Sequence, residues 1–188
     1  MKNASAGLCP GDRMSSLLQA MERNGAVGML ELDSALQAFP GDPRLHFLKG
    51  SMLAASGDFV RAREEMHRAV EIAPDYGVAR FQLGLLLLSS GEPTAAQEAL
   101  GPLLSLPSDN HLRLFASGLF ALIRDEFQDA AKLLRQGMAL NRDNPPMNRD
   151  MQLIIDGMEG KAGATDKDGP LSTVDLLLQQ AALKAGKR

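Results

Sequence analysis

The feature that most constrains the fold is a spacing of 34 residues, which several residue types share. Glycine recurs with this spacing at Gly50, Gly84 and Gly118. Alanine and phenylalanine recur in the same way, at Ala62, Ala96 and Ala130 and at Phe47, Phe81 and Phe115. Self-similarity at a fixed period of this length is typical of chains that stack one supersecondary unit on the next. The sequence therefore predicts a repeat architecture.

Each unit is predicted to contain two helices joined by a short turn. In the first clear unit, Asp42 is suited to cap the first helix, and Pro43 is suited to its first position. Gly57 marks the turn to the second helix. We expect Gly50 and Ala62 to face each other, because two small residues allow antiparallel helix backbones to approach closely.

The repeat register extends beyond the clear units in both directions. The predicted elements are a degenerate repeat, three clearer repeats and a capping helix, at 13–40, 43–74, 77–107, 111–142 and 145–157. A terminal capping helix covers the apolar end of such a stack. We expect these elements to form one helical repeat domain at 13–158, preceded by a flexible N-terminal segment at 1–12.

The C-terminal part of the sequence has a different character. Residues 159–170 are rich in Gly, Ala, Lys and Asp without apolar periodicity, and this composition predicts a flexible linker. Ser172 is then suited to cap a helix, with Leu171 and Leu176 at the positions of a hydrophobic staple. Apolar residues continue at helical spacing, so an amphipathic tail helix is predicted at 171–188. The linker would let this helix dock on its own chain or on a neighbouring one.

The unit length and the small-residue positions resemble the tetratricopeptide repeat family. The positions that match the signature of the family are Gly50, Leu53, Ala62, Met66, Ala69 and Pro74, then Leu83, Gly84, Leu87, Ala96 and Leu100, then Leu114, Gly118, Ala121, Ala130 and Leu134. The sequence departs from the family at Pro107, which comes one residue early, and at Gly137, which replaces an alanine. The resemblance implies an all-α fold, an α-solenoid of helix-turn-helix repeats with a C-terminal capping helix.

The resemblance also implies a concave groove lined by the first helix of each pair. The lining residues would be Arg44, Phe47 and Ser51, then Val78, Phe81, Leu85 and Leu88, then Leu112, Phe115, Leu119 and Leu122. Independently of the resemblance, the residues around Gly84 predict that their helix has a second apolar side. Gly84 and Leu87 are predicted to face their partner helix, whereas Phe81, Leu85 and Leu88 lie elsewhere on the same helix. Two interpretations remain open: neighbouring helices and the tail cover these residues as core, or the groove accepts an apolar peptide or helix.

The predicted function is a non-catalytic protein-interaction module, an adaptor or a chaperone-like protein that binds such a segment of another protein. One alternative is a structural protein that self-associates, as a homodimer for example, with its tail helix in its own or a neighbour's groove. Another is a secretion chaperone, because the apolar groove, small size and acidic pI are similar to bacterial type III secretion chaperones in architecture, although no motif is shared.

The resemblance also disfavours one known role of the family. Some members grip the C-terminal carboxylate of heat-shock chaperones through cationic groove residues. The matching positions here carry Phe47, Ser51, Gln82, Leu112 and Ala116. Because none of these side chains is cationic, none can pair with a carboxylate.

Composition argues against other classes of function. The chain has 20 Lys and Arg against 23 Asp and Glu, so it lacks the general basic field that attracts nucleic acid. No apolar run is long enough for a signal peptide or a membrane span, which predicts a cytoplasmic protein that does not bind membranes. The sequence has one cysteine and three histidines, and the histidines share no helix face, so we expect no metal site. No phosphate-binding loop is recognisable, so we expect neither a cofactor nor catalysis.

Overall fold

The structure, a computed structural model, describes residues 7–162, with side chains through Glu159. In these residues the fold is all-α and is built from helix-turn-helix repeats, as the sequence predicts. The helices are α1 Gly11–Arg23, α2 Gly25–Ala38, α3 Pro43–Ala55, α4 Phe59–Ile72, α5 Gly77–Ser89, α6 Pro93–Leu100, α7 His111–Ile123, α8 Phe127–Leu140 and α9 Pro145–Ala162. The predicted tail helix at 171–188 lies outside the described residues, as do residues 163–170 of the predicted linker.

The chain divides into two compact units, with the boundary between Ala79 and Arg80 inside α5. Unit 1 contains α1 to α4 and the start of α5. Unit 2 contains the rest of α5 and the elements up to α9. Each unit has its own buried apolar residues, for example Leu32 and Leu45 in unit 1 and Leu119 in unit 2, each with an exposed fraction of 0%. The helical repeat domain predicted at 13–158 spans both of these units.

Glycines hold the two helices of each pair in close contact. A Cβ atom added at any of four glycines would lie less than 3.0 Å from an atom of the facing helix, a distance that real Cβ atoms essentially never show. The glycines are Gly28, Gly50, Gly84 and Gly118, and the residues that they face are Met21, Met66, Leu100 and Leu134. The predicted role of Gly50 as a point of close approach is therefore confirmed. In the degenerate first repeat the close approach lies instead at Gly28, on the second helix at the register position of Ala62.

The turns inside three helix pairs share one backbone conformation. Gly57, Gly91 and Asp125 have φ values of 87°, 78° and 59°, and they lie 34 residues apart. The N–H that follows each of them donates to the carbonyl oxygen five residues earlier, at 2.9 to 3.0 Å. This is the Schellman C-cap, which favours glycine because its central residue is left-handed. The repeat is therefore encoded in the turns as well as in the helix contacts.

The first helices of the repeats begin at matching polar residues. Asp42, Asn110 and Asn144 each accept a hydrogen bond through the side-chain oxygen from a backbone N–H of the following helix turn, at 3.0, 2.9 and 3.1 Å. Such a bond satisfies one of the N–H groups that a helix start leaves without a partner. The 34-residue register places Tyr76 at the same point of the remaining repeat.

The second helix of the 77–107 repeat is shorter than its equivalents. α6 ends at Leu100 and continues as a 3₁₀-helix over Gly101–Ser105. Pro102 lacks an N–H group, and its ring clashes with the carbonyl group one helical turn earlier, so the α-helix cannot continue through it. Leu103 nevertheless remains buried, with 2% of its surface exposed. The repeat pattern shows the unusual place of Pro107, but the earlier break at Pro102 is not among the sequence-based predictions.

The predicted end of the capping helix is wrong. α9 extends to Ala162, so residues 159–162 are helical and not part of a linker. The helix continues past Gly157, its predicted last residue, because side chains beyond this residue make further contacts. Met158 is buried, with 5% of its surface exposed, and Glu159 forms an ion pair with Arg135 of α8. Tertiary packing therefore outweighs the low helix propensity of glycine at this point.

Replacing Gly118 with alanine tests the close approach of α7 and α8. The added methyl group would meet the Leu134 side chain and the carbonyl oxygen of Ala130. We expect the free energy of unfolding to fall by about 1–3 kcal/mol, which is typical of overpacking. Gly25→Ala is the matched control, because Gly25 is exposed at the start of α2 and nothing outside its chain neighbours and its own helix backbone lies within 4 Å of its Cβ position. Urea unfolding followed by circular dichroism measures both variants, and equal stability of the two would contradict the packing role.

Candidate functional site

The residues predicted to line the groove differ in exposure. Buried in unit 2 are Phe81, Leu88, Leu112, Phe115, Leu119 and Leu122, each with an exposed fraction of 7% or less. Partly exposed are Arg44, Phe47, Ser51, Val78 and Leu85. All but Leu85 of this second group belong to unit 1. The accessible part of the predicted set is therefore concentrated in unit 1.

Two of the three repeating phenylalanines lie in the core of unit 2. Phe81 and Phe115 are 0% exposed, and their ring centroids lie 5.6 Å apart. Phe115 also contacts α8, the partner helix of its own pair, because a Cβ atom at Gly137 would overlap its ring. This contact explains the glycine at position 137, where the repeat pattern has alanine. His111 packs edge-on against the same ring at 5.9 Å, and burial lowers its pKa although the charge of Asp143 opposes this shift.

Arg44, Phe47 and Ser51 lie on one side of α3, which we name the α3 face. Their spacing along the sequence brings them together on one side of the helix. The Ser51 hydroxyl donates to the Phe47 carbonyl oxygen at 2.9 Å. The Phe47 ring packs edge-on against Tyr76, with ring centroids 5.4 Å apart and an interplanar angle of 60°. Both rings are partly exposed, so the α3 face carries an accessible aromatic pair.

Sequence reasoning missed Tyr76, although the repeat contains a signal for it. Tyr76 stands where Asp42, Asn110 and Asn144 cap the other first helices. Replacing a good N-cap residue typically costs about 0.5–2 kcal/mol. A residue that breaks such a local rule indicates a role other than helix initiation. The role visible here is the contact with Phe47, and the burial that accompanies it raises the pKa of Tyr76 above its ordinary value.

A buried carboxylate holds Arg44 in place. Asp42 is 0% exposed and accepts hydrogen bonds from Arg44 Nε at 3.0 Å and Nη2 at 2.6 Å. The backbone N–H of Cys9 donates to the same carboxylate at 2.8 Å, while Arg44 Nη2 also donates to the Cys9 carbonyl oxygen at 2.9 Å. Burial alone raises the pKa of Asp42, but these hydrogen bonds and the Arg44 charge outweigh it and hold the pKa below its ordinary value. The Arg44 guanidinium therefore makes its hydrogen bonds within unit 1.

The same cluster corrects the predicted flexible N-terminus. Cys9 is buried, with 3% of its surface exposed, and α1 begins at Gly11. Residues 9–12 are therefore an ordered part of unit 1, whereas residues 1–6 lie outside the described residues. The physical reason is the buried carboxylate, because an ionised group without water needs several hydrogen-bond donors. The backbone of Cys9 supplies one of them to Asp42.

The other ionic groups of α3 lie on the opposite side from the α3 face. Lys49 Nζ lies 2.9 Å from Asp33 Oδ1 of α2 and 3.1 Å from Glu65 Oε1 of α4. His46 Nδ1 lies 2.7 Å from the second oxygen of Glu65. Burial lowers the pKa of Lys49, but the two carboxylates more than offset this and raise its pKa above the ordinary value. These groups join three helices on the side of α3 away from the α3 face, so the polar groups of that face are only Arg44 and Ser51.

Comparison with known proteins bears on the repeat. Residues 53–112 match the sequence profile described as tetratricopeptide repeat. The match covers the second helix of one predicted repeat, all of the next and the start of the third, so the resemblance inferred from the small-residue columns is confirmed.

Solved structures extend the likeness over nearly the whole chain. "MamA 41-end from Desulfovibrio magneticus RS-1" has a TM-score of 0.58 at 14% identity, covering 94% of each chain. "MamA RS-1 ArsTM double mutant" has a TM-score of 0.57 at 15% identity, covering 95% of this chain and 97% of the other. At such low identity the likeness concerns the fold alone. No curated protein matches this sequence.

None of the helices at 7–162 is long and apolar enough to cross a membrane. Over the same part of the chain, no three His, Cys, Asp or Glu side chains are grouped so that they could hold a metal ion.

Asp42→Asn tests the hydrogen bonds that the Asp42 carboxylate accepts from Arg44 and from the Cys9 N–H. The variant loses the negative charge that Arg44 and the Cys9 N–H surround, so we expect unit 1 to lose about 1.5–3 kcal/mol of stability at neutral pH. Because the pKa of Asp42 is lowered in the folded chain, its contribution is present above the ordinary pKa of a carboxyl group and disappears as the pH falls through the folded value. The difference between wild type and variant should therefore shrink in acid. Tyr76 is the sole tyrosine of a chain without tryptophan, so its fluorescence during urea unfolding reports unit 1.

Asp58→Asn is the matched control for this experiment. Asp58 also caps a helix and pairs with an arginine, Arg61, but both side chains are more exposed to solvent. We expect a much smaller change in stability and in its pH dependence, because water replaces the lost contacts. Equal losses for the two variants, or a constant effect of Asp42→Asn down to acid pH, would contradict the assigned role of burial.

Proposed function

We propose that the chain is a non-catalytic protein-interaction module, an adaptor or a chaperone-like protein, that binds an apolar peptide or helix at a surface including the α3 face. The observation that carries the proposal is the partly exposed aromatic pair of Phe47 and Tyr76. Aromatic side chains combine large apolar area with few rotatable bonds, and they dominate protein interfaces for this reason. The tetratricopeptide repeats at 53–112 support the same class of function.

The polar groups of the α3 face favour an uncharged partner segment. The Arg44 guanidinium is hydrogen-bonded to Asp42 and to Cys9, and the Ser51 hydroxyl donates to its own helix. A charged group of a partner would lose hydration there without gaining a dedicated counterion. An apolar anchor, by contrast, gains about 1.5–3 kcal/mol when it is fully buried. After the loss of translational and rotational freedom, a few such anchors correspond to an affinity of roughly micromolar.

Phe47→Asp tests this proposal, because Phe47 is the accessible member of its column. Charged residues at Phe81 or Phe115 would unfold unit 2 and so would not report on binding. Peptides selected from a displayed random library on the wild-type chain serve as the probe, and fluorescence anisotropy measures their affinity. We expect Phe47→Asp to weaken binding on the order of tenfold to a hundredfold, equivalent to one lost apolar anchor.

Val60→Asp is the matched control for the binding experiment. Val60 is an apolar residue of α4 with 65% of its surface exposed. The same charge placed there should leave the affinity for the selected peptides unchanged, while circular dichroism checks that both variants fold. Unchanged binding by folded Phe47→Asp, or equal losses in both variants, would exclude the α3 face as the binding surface.

Self-association through residues 171–188 is a second candidate, favoured by the sequence pattern of this segment. Apolar residues recur there at helical spacing after a capping serine. Deleting residues 170–188 and measuring the mass by light scattering separates the two candidates. A halved mass would identify the segment as a link between two copies. An unchanged monomer that binds the selected peptides more tightly would instead identify it as a competitor for the same surface, consistent with an adaptor or secretion-chaperone role.

A further inference from the structure

The turn between α1 and α2 contains the one asparagine of the sequence that is followed by glycine, Asn24–Gly25. Asn24 is extended, with φ −157° and ψ 106°, and both residues are exposed. The Asn24 side-chain oxygen accepts hydrogen bonds from the N–H groups of Ala26 at 3.0 Å and Val27 at 3.3 Å. Asn24 is therefore the N-cap of α2.

Gly25 is an exposed residue at the start of α2. Apart from its chain neighbours and the backbone of its own helix, nothing lies within 4 Å of the position that a Cβ atom would take at Gly25. The first N–H groups of a helix have no acceptor inside it. Among the described residues, none accepts a hydrogen bond from the Gly25 N–H. This nitrogen belongs to the residue that directly follows Asn24, as attack on the Asn24 side-chain carbonyl carbon requires.

We propose that Asn24 is a site of deamidation. The Gly25 nitrogen, as it loses its proton, bonds to Cγ of Asn24, and the bond from Cγ to the side-chain nitrogen breaks so that ammonia leaves with that proton. The product is a five-membered succinimide. Water then adds to one of its two carbonyl carbons and opens the ring to aspartate or isoaspartate. The net reaction consumes water, releases ammonia and adds one negative charge, and it needs no oxidant or cofactor.

The repeat register indicates that the aspartate product fits this turn. Asn24 stands at the position of Asp58, Glu92 and Glu126 in the later repeats, so deamidation gives the first repeat the acidic residue type that the others carry. Asp58 caps α4, and its side-chain oxygen accepts the Arg61 N–H at 3.2 Å. A carboxylate at Asn24 would keep the same cap and would lie at the positive end of the α2 dipole. Isoaspartate would instead lengthen the backbone by one carbon and displace the cap.

Mass spectrometry of the full chain, aged in mildly alkaline buffer and then digested, tests the site. Asn110 is the internal control, because it caps α7 in the same way but is followed by His111. We expect the amide of Asn24 to convert on the order of tenfold faster, since glycine lacks the Cβ atom that hinders attack. Gly25→Ala should fold, because its Cβ meets nothing, and should slow the conversion to the Asn110 rate. An unchanged rate in this variant would overturn the proposal.

Two further measurements test how the fold affects the reaction and how the aspartate product affects the turn. A synthetic peptide of residues 21–28 gives the rate without the fold, and an intact Asn24 in the folded chain after this peptide has converted would show that the cap protects the amide, which overturns the proposal. Asn24→Asp mimics the aspartate product and should melt at the wild-type temperature or above when followed by circular dichroism. A lower melting temperature would contradict the expectation that the turn accommodates a carboxylate.

Discussion

The whole architecture depends on two helices approaching each other at a residue without a side chain. At Gly28 the facing group is the Met21 backbone, and at Gly118 it is the Leu134 side chain. Protein interiors are packed nearly as densely as organic crystals, so an extra methyl group at such a point has no space to occupy. The close approach fixes the separation of each pair and so determines which side chains remain for contacts outside it. The other contacts of each repeat therefore depend on this close approach at glycine.

Much of the fold could be predicted because this constraint acts at the same register position in the three clearer repeats, at Gly50, Gly84 and Gly118. Helix contacts, turns and caps each select a small number of residue types, and each selection repeats after 34 residues. Gly57 and Gly91 supply the left-handed turn that Asp125 adopts in the third repeat. A pattern carried by three independent physical requirements remains recognisable after individual positions have diverged.

The sequence predicted the ends of the domain and the exposure of the site less well, because both depend on contacts between positions far apart. The burial of Cys9 follows from the ionised Asp42, which lies in another helix pair. The break at Pro102 is a local signal that was overlooked, whereas the glycine at 137 becomes understandable only once the Phe115 ring is seen against it. Periodicity determines which side of a helix a residue occupies, but burial depends on what packs against that side.

The phenylalanine column shows why equal positions in a repeat need not share a function. Phe81 and Phe115 face each other within unit 2 and are fully covered, whereas Phe47 meets Tyr76 and keeps part of its ring accessible. Tyr76 stands at the position where Asp or Asn caps the other first helices. At the start of α5 the chain therefore has an aromatic residue that contacts Phe47 in place of such a cap residue. Repeats stack because each one makes the same helix contacts, turns and caps. A recognition surface arises where one repeat departs from this pattern, as Phe47 and Tyr76 do. The departures from the period, more than the period itself, are therefore where specific binding is to be sought.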